Sequence, residues 1–175
     1  MNDVRSAAAR RVGTNRSDLL GSYLSDHLAG PTVGTRRAAH LARSLRGSPY
    51  GAALGTIAAE ITEDRATLPA MMRKPGVPAR RYKVLAGGAL EPAGRLKSNG
   101  RLIGRSPLTT LLELELLRLG VEGEAAARRS LRRIADSDRR LEPERLDQLI
   151  ERAQRQLRVL EDLRLRQSQQ ALPAT

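Results

Sequence analysis

The sequence predicts an all-α fold, a four-helix bundle of two helical hairpins joined by a long basic crossover. Three observations carry this. Aromatic bulk is nearly missing: there is no Phe and no Trp, and Tyr23, Tyr50 and Tyr82 are the only tyrosines. A core must then be filled by Leu, Ile, Val, Ala and Met, which suits close-packed helices better than a sandwich of aromatic and β-branched strands. Apolar residues recur at helical spacing in long stretches on either side of the middle of the chain. Charge is segregated as well. Of a formal net charge of +12, half falls in residues 75–107, where seven cations face one acid, Glu91. Residues 108–175 instead set 13 arginines against 12 acids. The crossover is basic and the hairpins are nearly balanced.

At 175 residues the chain fits one domain with a real core. Residues 1–16 read as a flexible arm, 17–166 as the bundle and 167–175 as a frayed end. Helix one is expected from about Ser17 to Arg46, with Ser17 as N-cap and Asp18 in the first turn. Leu20, Tyr23, Leu24, His27, Ala38, Leu41 and Leu45 share one face, and Gly30-Pro31 predicts a kink or two shorter helices. Gly47-Ser48-Pro49 closes helix one and opens helix two, with Ser48 capping. Tyr50, Leu54, Ile57, Ile61, Leu68 and Met72 form the second stripe, and Pro75-Gly76 ends it.

The crossover, 75–107, contains Gly87, Gly88, Gly94, Gly100 and Gly104 and can hold no long helix. Ser106-Pro107 opens helix three, whose expected core stripe is Leu112, Leu116, Leu119, Gly123, Ala127, Leu131 and Ile134. Leu141-Glu142-Pro143-Glu144 opens helix four, lined by Leu146, Leu149, Ile150, Ala153, Leu157 and Leu160. Two hairpins with one long crossover is the ferritin-like connectivity.

That connectivity raises the dinuclear metal question, and the residues argue against it. Such sites need inward Glu residues and paired Glu-x-x-His motifs. Only His27 and His40 occur, neither with a Glu three residues before it. What remains is a candidate polar pocket of His27, Asp64, Glu113 and Glu124, able to hold one cation or act as a base if the four converge. A core histidine with a satisfied ring outweighs that reading. Cys is absent, so thiolate sites and disulfides are excluded. Neither a nucleophile elbow nor a phosphate-wrapping loop is spelled out. No catalytic residue, metal ligand or cofactor is assigned.

The basic crossover is the stronger candidate for binding. Arg80, Arg81, Lys83, Arg95, Lys97, Arg101 and Arg105, spaced among glycines, can approach a phosphate backbone. Tyr82 alone offers stacking, so sequence-specific single-strand recognition is disfavoured. A basic surface loop of an Arg-rich protein is the plainer reading.

Four stretches carry a resemblance. They are Asp18 to Gly30 (DLLGSYLSDHLAG), Glu63 to Ala66 (EDRA), Gly94 to Leu102 (GRLKSNGRL) and Leu112 to Gly120 (LELELLRLG). Together the chain resembles uncharacterised actinobacterial ferritin-like four-helix-bundle proteins from about Asp18 to Leu165. The resemblance implies the fold and attaches no activity. Three functions follow in order: a non-catalytic structural or interaction protein, homo-oligomeric or bound to a protein partner; a nucleic-acid or polyanion binder using the crossover; and a degenerate metal-dependent enzyme centred on His27. No apolar run reaches a membrane span and no secretory h-region follows the N-terminal arginines, so a cytoplasmic location is expected.

Overall fold

The structure, a computed structural model, describes residues 19–24, 27, 34–66 and 106–172. Helix makes up 85% of these and no strand occurs among them, so the fold class is all-α. Residues 19–24 are helical, and α1 covers residues 34–44. Then follow α2 (Gly51–Arg65), α3 (Pro107–Ala135) and α4 (Pro143–Ala171). The N-terminal arm, Gly30-Pro31 and residues 67–105 lie outside the described residues.

α1 and α2 are joined by a tight turn in which Ser48 acts, though not as a helix cap. Its Oγ donates to Leu45 O at 2.7 Å and accepts from Tyr50 N–H at 3.2 Å. Tyr50 takes the N-cap position and α2 begins at Gly51. A Cβ on Gly51 would stand 2.5 Å from Arg46 O and 2.8 Å from Leu45 O, so this close approach admits only glycine.

Ser106 and Pro107 open α3 as the sequence predicts, with extended backbone at Ser106 and proline in the first turn. Asp138 orders the turn after α3 by accepting from the backbone N–H of Arg140 at 3.0 Å and from its Nε at 2.7 Å. α4 then returns antiparallel to α3. Its buried residues are Leu146, Leu149, Ala153, Gln156, Leu160, Leu163 and Gln167. They alternate at spacings of three and four, which is a coiled-coil seam.

Helix continues through 167–171, where fraying is expected from the sequence. Gln167 is buried and its Nε2 donates to Pro107 O at 2.9 Å, tying the end of α4 to the start of α3. Charged pairs line the seam: Arg118 Nε to Glu161 at 2.8 Å, Arg164 to Glu161 at 2.7 Å, and Arg132 Nε to Asp147 at 3.0 Å.

The core has two parts. One joins α1, α2, α3 and α4 through Ala38, Leu41, Leu54, Ile57, Ile61, Leu114, Leu117, Val121, Ala125, Ala153 and Leu160. The other seats Leu20 and Leu24 against Leu131, Ala135, Leu141, Leu146 and Leu149, where α3 turns into α4.

The α3 face differs from expectation. Leu114, Leu117, Val121, Ala125, Arg128 and Leu131 point inward. Leu112, Leu116, Leu119 and Ile134 stand exposed. Two apolar stripes run along this helix, and α4 and α2 pack against the one that includes Arg128.

Candidate functional site

Each of three helices contributes polar residues four apart, and all of them meet between the two leucine-filled ends of the bundle. α2 supplies Glu60 and Asp64, α3 supplies Glu124 and Arg128, and α4 supplies Arg152 and Gln156. On a helix, residues four apart lie one turn above each other on one face. Glu124, Arg128 and Gln156 fall at positions where the seam otherwise takes apolar residues.

Asp64 is the hub, with only 2% of its surface exposed. Arg152 Nη1 donates to its Oδ1 at 2.8 Å. Arg128 Nη1 lies 3.2 Å from Oδ2. That second contact is Coulombic, since Oδ2 accepts no hydrogen bond. Arg128 also donates from Nη1 to Leu149 O at 3.1 Å and from Nη2 to Glu124 Oε2 at 2.9 Å. Around this centre Arg152 reaches Glu63 Oε2 at 3.0 Å and Gln156 Nε2 donates to Glu60 Oε2 at 2.8 Å.

Burial sets the electrostatics. Desolvation pushes the Asp64 carboxyl above its ordinary range, and the pull of Arg128 and Arg152 does not cancel it. Burial likewise raises Glu124, against Arg128, with the nearby Asp64 charge adding to the rise. Each carboxylate is thus crowded by guanidinium groups as well as by other acids. Among the described residues, no group of three or more His, Asp or Glu side chains could hold a metal ion.

Of the four residues expected to form a polar pocket, the structure brings together Asp64 and Glu124, with Arg128 between them. Glu113 is half-buried one end away: eleven residues from Glu124 is about 16 Å along the helix axis. His27 is also half-buried, and its ring lies against Tyr23 with centroids 4.5 Å apart. Nothing places it at the hub. The crossover cations Arg80, Arg81, Lys83, Arg95, Lys97, Arg101 and Arg105 lie outside the described residues.

Sequence reasoning missed Arg128, Arg152 and Gln156. A signal existed for two of them. Gln156 sits three residues after Ala153 and four before Leu160, and Arg128 sits seven after Val121 and three before Leu131. A heptad reading of α3 and α4 would have placed both inside. No helix among the described residues is long and apolar enough to cross a membrane. Comparison with family models, with curated proteins and with solved structures gives no match.

Proposed function

We propose that the chain is a non-catalytic helical-bundle protein of ferritin-like connectivity, with a structural or interaction role in the cytoplasm. The observation that carries this reading is the chemistry around Asp64. Its carboxylate is shared between guanidinium groups of α3 and α4, and the remaining donors of those groups go to Glu124, Glu63 and a backbone carbonyl. Such an arrangement consumes the lone pairs a metal or a substrate would need. It suits a polar layer that fixes helix register, the best-attested use of buried polar groups between helices.

Elemental analysis of protein purified from its native host tests the reading. No stoichiometric iron or manganese is expected, and Asp64→Asn should change stability alone. About two metal ions per chain, as in a ferritin-like dinuclear site, lost together on Asp64→Asn, would overturn it.

Polyanion binding through residues 75–107 is the second reading, favoured by seven cations against one acid there. Contacts to phosphates position a protein without reading bases, so binding would be largely independent of sequence. Titration of duplex DNA and RNA at about 50 and 200 mM salt tests it, since counterion release is large over that range. Replacing Arg95, Lys97 and Arg101 together with Ala should lower affinity and flatten the salt slope. No binding at the lower salt removes this reading.

A further inference from the structure

The outward face of α3 is unlike any other outer surface among the described helices. Leu108, Leu112, Leu116, Leu119 and Ile134 are 36–63% exposed. With the exposed Gly120, Gly123, Ala126 and Ser130 they follow one another at helical spacing along one side. No charged residue interrupts that side. α4 shows the contrast, with Glu144, Asp147, Glu151, Arg155, Arg158, Asp162 and Arg166 all exposed. A helix apolar on two opposite faces is one packed on both sides. The inner face of α3 is covered by α2 and α4, and no described residue covers the outer one.

We propose that a second copy of this chain covers it, with the two α3 helices packed antiparallel about a two-fold axis beside Val121. The stripe is its own complement. Its first half is bulky, with Leu108, Leu112, Leu116 and Leu119, and its second half is small, with Gly123, Ala126 and Ser130 before Ile134. Antiparallel pairing about Val121 sets Leu119 against Gly123 of the second copy, Leu116 against Ala126 and Leu112 against Ser130. Leu108 then meets Ile134 at the ends. Bulky side chains thereby enter gaps left by small ones, the arrangement that lets helix axes approach closely.

A Cβ on Gly120 or Gly123 would meet nothing within 4 Å in the single chain, so neither glycine is required by its own fold. Both sit where the two helices would cross.

Charge agrees with the same geometry. Along one flank of the stripe stand Glu115 and Glu122 in the first half and Arg129 and Arg133 in the second. A two-fold axis lying in the interface keeps like flanks together while reversing direction. The acidic half of one copy then meets the basic half of the other. Parallel pairing would bring opposite flanks together and set leucine on leucine over glycine on glycine.

Sedimentation equilibrium of the full chain should give twice its 19.1 kDa. Leu119→Arg should give the single-chain mass with unchanged circular dichroism. Gly123→Leu tests the fit separately: leucine improves the isolated helix yet fills the gap that receives Leu119, so association should weaken by at least about tenfold. Orientation is read by disulfide formation, because the chain has no native cysteine. Leu112→Cys mixed with Ser130→Cys should cross-link. Leu112→Cys alone should not, since its two copies would lie about 27 Å apart along the axis at roughly 1.5 Å per residue. A wild-type protein that stays monomeric as concentration rises overturns the proposal, as does a dimer that survives Leu119→Arg. Self-linking of Leu112→Cys overturns the antiparallel arrangement. A monomer whose melting temperature falls on Leu119→Arg would show that the face is covered by the same chain, which also overturns it.

Discussion

Arg152 Nη1 donates a 2.8 Å hydrogen bond to Asp64 Oδ1, a contact that joins two residues 88 positions apart in the chain. Arg128 meets the same carboxylate from the other side at 3.2 Å. One aspartate therefore links α2 to both α3 and α4, and the partners are unequal in what their loss would leave behind.

Arg128→Met is expected to destabilise by about 3–5 kcal/mol, because it removes the cation nearest two buried carboxylates. Asp64→Asn should cost less, about 1 kcal/mol, since Arg128 keeps Glu124 and Leu149 O as partners. Urea unfolding of both variants checks the order. Equal losses would mean that Asp64, and not Arg128, holds the layer together.

The raised carboxyls give a defined pH dependence. Burial lifts Asp64 and Glu124 above the ordinary carboxylate range, against Arg128. A group whose native pKa is raised binds its proton more tightly when folded. Its stabilising contribution is complete below the ordinary value near about 4 and is lost as pH rises through the native value. Relative to an Asp64→Asn, Glu124→Gln double variant, the wild type should gain stability as pH falls from neutral into that window. Asp138, held low by Arg140, acts oppositely in both proteins and cancels in the difference. Denaturant titrations at stepped pH measure the gap, and a flat or reversed trend refutes the assignment.

Glycines separate two physical effects. Gly51→Ala would drive a Cβ into the carbonyls of Arg46 and Leu45, so a loss of about 2 kcal/mol or more is expected. Gly55→Ala, also in α2 but facing open space, should stabilise by about 0.5–1 kcal/mol through helix propensity. Melting temperatures moving in opposite directions would bear this out. Stabilisation by both would show that the turn before α2 relaxes freely.

Gln156→Leu replaces a seam amide with the residue type that fills neighbouring positions. Its partner Glu60 is only half-buried and can return to water. A gain of about 1 kcal/mol is expected from the added apolar burial. A loss would mean that the Gln156–Glu60 bond stabilises the docking of α2 on α4.

By itself the sequence determined the helical class, the start of α3 at Ser106-Pro107 and the inward stripe of α4. These depend on local chemistry: proline fits a first turn, and a single apolar stripe such as Leu146, Leu149, Ala153 and Leu160 can face only the core. α3 was ambiguous because it carries two apolar stripes, one through Leu114, Leu117 and Val121 and one through Leu112, Leu116 and Leu119. Periodicity marks both equally. Only the packing of α2 and α4 decided between them. The same packing turned Arg128 and Gln156 inward and brought Asp64 within reach of Arg152, while leaving Glu113 and His27 elsewhere. Which charges share a low-dielectric site depends on distances between helices, and sequence spacing fixes distances only within one helix.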